Sequence, residues 1–170
     1  MTGLSGAGAM FAGNTLGGSA AAAEPVPSSV IRSSNGVLSA TLTVQDVQTR
    51  AAGLDIASGL STYNGMYTGP TLRVSPGDRL KLNVRNRMVE PTNMHFHGLH
   101  VSPKGRQDNV FVVIDPMDDF EYDVEIPADQ SGGLYWYHPH MHGLVGKQIY
   151  GGWGRGLGVV VSGNYPAATG

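Results

Sequence analysis

Hydrophobic and polar residues alternate one by one along much of the chain. The alternation is clearest over 119–126, where apolar side chains take every second position and carboxylates fill the positions between them. A period of two places one set of side chains on each face of a strand. We therefore predict strands over these segments: 38–44, 71–75, 80–85, 119–126, 134–137 and 157–161. No window shows the 3.6-residue stripe typical of a surface helix.

Turn-forming residues separate these segments at intervals near ten residues. The 170 residues include 25 glycines and 10 prolines, while only 14% are charged, against about 25% in ordinary soluble proteins. Pro76-Gly77-Asp78 is the turn between the second and third predicted strands, because proline presets φ and glycine accepts a positive φ. Short strands joined by close turns predict an all-β, Greek-key sandwich or barrel in a single domain.

Charge and cysteine content narrow the possible functions. The formal net charge of −2 offers no basic surface for nucleic acid or an anionic membrane, so neither is an expected partner. The chain has no cysteine, which excludes disulfides, zinc ribbons, thiol nucleophiles and thiolate-ligated copper from it. The six histidines remain as candidate chemistry, and they cluster in two short stretches.

The first 23 residues have the composition of an export signal. They contain no charged residue and end in three alanines before Glu24, a small-residue cleavage pattern. Glycine dilutes the apolar run too much for a membrane span. The opening Thr2–Phe11 resembles the part of a Tat signal that follows the twin arginine. Because no basic residue precedes it, we expect the sequence to begin inside a longer leader or to be a fragment.

These features predict a domain organisation and a location. We expect a leader over 1–23, a linker over 24–36, the β-domain over 37–163 and a tail or interdomain linker over 164–170. An export signal predicts a periplasmic or extracellular protein, exported through the Tat route. The alternative for the first segment is a disordered Gly/Ala tail.

Two His-x-His motifs lie about 40 residues apart, at His95-Phe-His97 and His138-Pro-His140. Residues i and i+2 of a strand face the same way, about 6.5–7 Å apart, so each pair can serve one metal or two adjacent metals. Pro139 has no N–H for a strand ladder, which predicts that its strand ends or lies at an edge there. If the two strands are neighbours, four imidazoles converge, and neutral imidazole suits copper, zinc, iron or nickel. The alternative is that each histidine is an ordinary surface or hydrogen-bonded core residue.

The residues around these motifs resemble a known family. His95-Phe-His-Gly98 and Trp136-Tyr-His-Pro-His-Met-His-Gly143 are similar to the two copper motifs in the first cupredoxin domain of multicopper oxidases. The bacterial, copper-efflux-oxidase-like branch is the best match. The resemblance extends over 38–163 and includes the segments Gly69–Asp78 and Ile126–Asp129. It implies a cupredoxin fold and copper as the cofactor.

The resemblance also implies individual roles. By motif position, His95 would bind the type 2 copper, His97 and His138 one copper of the type 3 pair, and His140 the other. In the family these coppers form a trinuclear cluster that reduces O2 to water. Asp108 matches an acidic residue that lies beside this cluster and assists proton delivery. The alternative for Asp108 is a turn residue.

The neighbouring histidines and aromatic residues fit ligand roles less well. His100 would face away from the motif on a continuing strand, and His142 is not a ligand in the family. We expect both to support the ligands or to face solvent. We expect Tyr135, Trp136 and Tyr137 to pack in the core, with a polar tip or two exposed.

The family pattern shows what this chain lacks. A complete trinuclear site takes eight histidines from two domains, and the matched motifs supply four. The type 1 copper needs a cysteine thiolate, which is absent here. The expected partner is therefore a second cupredoxin domain or subunit with a His-Cys-His motif, or further copies of this chain, and oxidase activity depends on that completion.

Two other functions remain open. One is a non-enzymatic periplasmic copper-binding module that uses the four histidines alone. The other is a mononuclear metalloenzyme of the cupin type, which also carries His-x-His on a barrel strand. The cupin pattern requires a glutamate shortly after the second histidine, whereas no acidic residue lies between His100 and Asp108.

Overall fold

The computed structural model describes residues 29–47, 60–66, 69–150 and 158–162. The expected leader over 1–23, the first part of the expected linker and the expected tail over 164–170 lie outside the described residues. In chain order the described elements are β1 (Val30–Arg32), β2 (Val37–Val47), β3 (Leu60–Tyr63), β4 (Thr71–Val74), β5 (Arg79–Asn86), β6 (His95–His97), β7 (Asp119–Glu125), β8 (Gly133–His138), α1 (Val145–Gln148) and β9 (Gly158–Val161).

The strands form two sheets. Sheet 1 has the order β1-β4-β9-β8-β6, and sheet 2 has the order β3-β2-β5-β7. Within sheet 2, β5 pairs in parallel with β2 and antiparallel with β7. Within sheet 1, β6 at the edge pairs antiparallel with β8. The prediction of an all-β architecture with two layers is confirmed.

The core lies where the alternating apolar residues meet. On β5, Leu80, Leu82 and Val84 are fully buried, while Arg79, Lys81 and Arg85 at the alternating positions are exposed. Burying one such side chain stabilises the fold by about 1.5–3 kcal/mol, so the two-residue period fixes which face turns inward. Both sheets and the segments that connect their strands contribute the remaining large, fully buried side chains: Leu38, Leu42, Tyr63, Leu72, Met94, Phe96, Ile114, Tyr122 and Tyr137.

The turn at residues 75–78 carries the chain from sheet 1 to sheet 2. Gly77 has φ of 86°, as predicted for this position. The Ser75 N–H donates a 2.7 Å hydrogen bond to Oδ2 of Asp78, which closes the turn. The strands on either side, β4 and β5, belong to different sheets, so this turn is one corner of the sandwich.

Three elements were not predicted. Strand β1 lies within the expected linker and pairs in parallel with β4 over three residues. Strand β3 is only four residues long and pairs with the end of β2. Helix α1 is a single turn, too short to show a helical period in the sequence. Within the described residues no helix is long and apolar enough to cross a membrane.

Candidate metal centre

The two His-x-His motifs lie side by side at one edge of sheet 1. His95 pairs with His138 and His97 pairs with Trp136 in the antiparallel register of β6 and β8. Phe96 between the histidines of β6 points into the core, which turns both imidazoles to the outer face. Strand β8 ends at His138, as the missing N–H of Pro139 predicted.

Gly98 allows β6 to end immediately after His97. Its φ is 90°, and a Cβ built at this position would lie 3.0 Å from the Tyr135 ring. A side chain here would require both a disfavoured backbone conformation and movement of that ring. The glycine after the His-x-His motif is therefore a structural requirement of this edge.

The structure brings the four predicted histidines together. The ring centroid of His95 lies 5.7 Å from that of His97, 5.2 Å from that of His138 and 5.3 Å from that of His140. His138 lies 6.1 Å from His97 and 6.0 Å from His140. His95 thus has the other three imidazoles around it, and the expected convergence of the two motifs is confirmed.

His138 has a buried nitrogen with no hydrogen-bond partner. Its Nδ1 lies 2.9 Å from the carbonyl oxygen of Pro139. Because a carbonyl only accepts, Nδ1 carries the proton and Nε2 has a free lone pair. That Nε2 is buried and makes no hydrogen bond. Burial, together with the neighbouring imidazoles, lowers the pKa of His138, which favours the neutral form that binds metals.

Asp108 orients His95. Its Oδ1 lies 2.9 Å from Nδ1 of His95 and accepts a second 2.9 Å hydrogen bond from the Phe96 N–H. The carboxylate can only accept, which places the His95 proton on Nδ1 and leaves Nε2 available. Of the two sequence-based alternatives for Asp108, this position beside a candidate ligand favours a role at the site over that of an ordinary turn residue.

The loop that carries Asp108 is fixed against the edge of sheet 2. The Asp108 N–H donates to the Ser102 carbonyl at 3.0 Å. The Arg106 carbonyl accepts a 2.7 Å hydrogen bond from the Asp123 N–H on β7, and Nε of Arg106 donates to the Glu121 carbonyl at 2.8 Å. The Asp108 carboxylate therefore reaches His95 from a loop that β7 holds in place.

Asn93 is a site residue that the sequence analysis missed. It is buried, and its Oδ1 accepts a 2.7 Å hydrogen bond from the His140 N–H. Its Nδ2 donates to the carbonyl oxygens of Val110 at 2.9 Å and Val112 at 3.2 Å. One amide thus ties the backbone of the second motif to the segment that follows Asp108. The available signal was an asparagine two residues before His95.

The structure corrects the expectation that Trp136 packs in the core. It is 36% exposed and shares the outer face of β8 with His138, whereas Tyr137 is fully buried and donates its hydroxyl proton to the Pro70 carbonyl. Trp136 lies two residues before His138 on the same strand, so both side chains project from the same outer face. Tyr135, on the inner face, packs against the core as expected.

The other two histidines lie apart from this arrangement. Strand β6 has ended before His100, whose side chain is exposed and whose N–H donates to Oε1 of Gln130 at 2.9 Å. His142 is also exposed. Both side chains therefore face solvent, which is one of the two roles expected for them.

The four imidazoles are suitable ligands for copper, although they do not surround a single ion. Neutral imidazole nitrogens are borderline ligands that suit copper, and the unpaired Nε2 of His138 is a lone pair without a protein partner. Within the described parts of the chain, no three or more His, Asp or Glu side chains close around a single ion. The imidazoles therefore form an open array, in which a bound ion would need ligands from elsewhere.

Comparisons with known proteins identify the family. The family model described as multicopper oxidase matches residues 43–161. A multicopper oxidase of Staphylococcus epidermidis, named mco, is 33% identical over 122 residues, which cover 71% of this chain and 26% of that protein. The chain belongs to the multicopper oxidase family, and the predicted resemblance is confirmed.

Solved structures confirm the cupredoxin fold. A multicopper oxidase from Campylobacter jejuni, described as a metallo-oxidase, matches with a TM-score of 0.67 and 28% identity, over 82% of this chain and 31% of that one. The laccase-like oxidase CueO from an Ochrobactrum species matches with a TM-score of 0.60 and 29% identity, over 82% and 30%. The chain thus spans about a quarter of the curated relative and under a third of each solved structure. Membership in this family implies copper as the cofactor.

Proposed function

We propose that this chain is the first cupredoxin domain of a multicopper oxidase and supplies half of the histidine ligands of a trinuclear copper cluster. In this proposal His95 binds the type 2 copper, His97 and His138 bind one copper of the type 3 pair, and His140 binds the other. The buried, unpaired Nε2 of His138 among three further imidazoles is the observation that carries the proposal. Copper bound there would supply the one-electron redox steps by which O2 is reduced to water.

The protein residues prepare the ligands before any metal arrives. Asp108 and the Pro139 carbonyl accept the Nδ1 protons of His95 and His138, so Nε2 is the ring nitrogen left to bind a metal in both. Partners of this kind typically change metal affinity by 10–100-fold when they are removed. The orientation of these two imidazoles is therefore a property of this chain alone.

Asp108 is also the candidate for proton delivery. Reduction of O2 to two molecules of water consumes four electrons and four protons, so a site for it requires a proton path. Asp108 is about nine-tenths buried and contacts a ligand ring directly. A carboxylate in this position accepts a proton from the solvent side and passes it on near the ligands.

A second cupredoxin domain or subunit is the proposed partner. It would contribute the remaining histidines and, through a His-Cys-His motif, the type 1 copper that passes electrons from the reducing substrate. The same face of β8 presents Trp136, which contacts the imidazoles, and Leu134, which lies four residues before His138 and is 82% exposed. An apolar surface next to an incomplete ligand set is what a covering domain would require. Further copies of this chain are the other way to supply imidazoles.

The proposed location is outside the cytoplasm. The uncharged, alanine-terminated first 23 residues support export to the periplasm or the extracellular space, and their resemblance to the rear of a twin-arginine signal supports the Tat route. A signal-sequence reporter fusion with and without an intact Tat system tests this directly.

The function is tested by comparing the chain alone with the chain plus its partner. We expect the purified chain to bind copper but to oxidise phenolic or cuprous substrates with little or no O2 uptake. DNA downstream of the codon for Gly170 should encode a His-Cys-His-containing domain, and expression of both together should restore O2 uptake. An intact intergenic region with no such gene nearby would refute the proposal.

The same measurements separate the non-enzymatic alternative. A stand-alone copper-binding module would hold one copper tightly per chain, and its copper spectrum would not change when a second cupredoxin domain is added. Strong O2-linked oxidation by this polypeptide alone would instead show that copies of the chain complete the cluster.

A further inference from the structure

Trp136 occupies a central position among the candidate ligands. It lies directly opposite His97 in the register of β6 and β8, and two residues before His138 on its own strand. Side chains at these positions project from the same face of the sheet. The indole is therefore the neighbour of one imidazole across the strands and of another along the strand.

The indole contacts both rings. Its centroid lies 4.1 Å from that of His138, with an interplanar angle of 22°, which is a stacked arrangement. It lies 5.0 Å from the His97 ring at 40°. Residues i and i+2 on an ordinary strand are about 6.5–7 Å apart. The Trp136 and His138 rings are closer than that spacing because both lean together into a stack.

Core packing does not account for an indole at this position. Trp136 is 36% exposed and lies on the face opposite Tyr137, which fills the core. The exposed Leu134 on the same face shows that a smaller apolar residue is accepted on this strand. The contacts that distinguish Trp136 are those with His97 and His138.

From this juxtaposition we propose that Trp136 is a positioning residue, whose ring plane sets the separation and tilt of the His97 and His138 imidazoles for one copper ion. The inference rests on the proposed function, in which these two histidines share a copper. The stack restricts rotation of the His138 ring, whose Nδ1 is already bonded to the Pro139 carbonyl. Two restraints on one ring leave its Nε2 pointing in a single direction.

The main test replaces Trp136 in the full chain. We expect Trp136→Leu to keep the fold by circular dichroism and to weaken Cu²⁺ binding by about 10–100-fold, the range typical of residues that orient metal ligands. The copper hyperfine splitting in the electron paramagnetic resonance spectrum should change as well, which a loss of stability alone would not cause. Trp136→Phe should preserve a flat ring and recover most of the affinity. Leu134→Ala is the matched control on the same face and should leave both readouts unchanged.

A second measurement keeps Trp136 in place, so it remains decisive if the leucine variant does not fold. The chain has two tryptophans, Trp136 and Trp153. In a Trp153→Phe background Trp136 is the only tryptophan, and Cu²⁺ should quench the tryptophan fluorescence with the same midpoint as the copper titration. Absence of quenching, or wild-type affinity and spectrum in Trp136→Leu, overturns the positioning role.

The histidine variants separate this inference from the proposed function. If His97→Ala and His138→Ala abolish copper binding while Trp136→Leu has no effect, the copper site stands and the positioning role is wrong. If copper binding is unchanged in both histidine variants, the proposed function itself is wrong.

Discussion

The outer faces of the two sheets differ in how completely their polar groups are paired. On sheet 2, Arg79 pairs across strands with Asp123 and Glu125, and Arg85 pairs with Asp119. At the β6–β8 edge of sheet 1, the Nε2 of His138 is buried without a partner, and Leu134 is exposed on the same face of β8. The charged side chains of sheet 2 are thus paired with one another, whereas the β6–β8 edge of sheet 1 retains an unpaired ligand nitrogen and apolar surface. This difference supports the proposed placement of the metal and of the partner domain at the β6–β8 edge.

The largest expected effect comes from removing ligands at this edge of sheet 1. We expect the double variant His95→Ala/His138→Ala to lose copper binding, because it removes the central imidazole and the one with the buried free nitrogen. Copper per chain, measured by atomic absorption after dialysis, checks this. The control is His100→Ala/His142→Ala, which removes the exposed histidines and should bind copper as the wild type does. Unchanged stoichiometry in the first variant would refute the ligand assignment.

The next effect concerns the carboxylate that orients His95. Asp108→Asn keeps an acceptor for the Phe96 N–H but removes the negative charge beside Nδ1 of His95. We expect copper affinity to fall by about 10–100-fold, measured by competition with a chelator. Asp115→Asn, an exposed change nearby, should have no effect. Equal affinities for the two variants would contradict the orienting role of Asp108.

A smaller effect is expected from the buried amide beneath the site. Asn93→Ala leaves the His140 N–H and the carbonyls of Val110 and Val112 without their partner. Each unsatisfied buried group costs about 1–3 kcal/mol, so we expect the free energy of unfolding to fall by at least about 1 kcal/mol. Urea denaturation of the copper-free chain measures it. Asn83→Ala, at a half-buried position of sheet 2, is the control, and an equal loss there would show that Asn93 has no special role.

The smallest effect is expected on sheet 2. Asp123 accepts hydrogen bonds from Arg79, and this contact lowers the pKa of the carboxyl. The pair is exposed, where solvent screens the interaction, so Arg79→Ala should barely change the urea midpoint. Copper affinity should also stay at the wild-type value. A clear loss of copper binding in this variant would break the contrast between the two faces.

The strand period explains how much of the fold was predictable. Long alternating segments such as β5 and β7 were found because burial of every second residue dictates their sequence. Strands β1 and β3 were missed because their short sequences, Val-Ile-Arg and Leu-Ser-Thr-Tyr, show no alternation of apolar and polar residues. Their positions depend on pairing with β4 and β2, which is not visible locally.

The sequence predicted those parts of the candidate site that follow from the spacing of neighbouring residues. It missed those that depend on contacts between distant segments of the chain. The spacing of His95 and His97 identified one face of a strand, and Pro139 marked the end of the other strand. The contact of Asp108 with His95 depends on a loop held by β7, so spacing alone left a turn as the alternative. Trp136 was assigned to the core because it is aromatic, although its parity with His138 already placed it on the outer face.

The central claim is that copper binds at the four imidazoles on the outer face of sheet 1. A crystal structure of the full chain prepared with Cu²⁺, with anomalous diffraction recorded on both sides of the copper absorption edge, tests it most directly. We expect anomalous peaks within bonding distance of Nε2 of His138 and of at least one neighbouring imidazole among His95, His97 and His140. Copper found only at His100, at His142 or away from the histidines would contradict the claim.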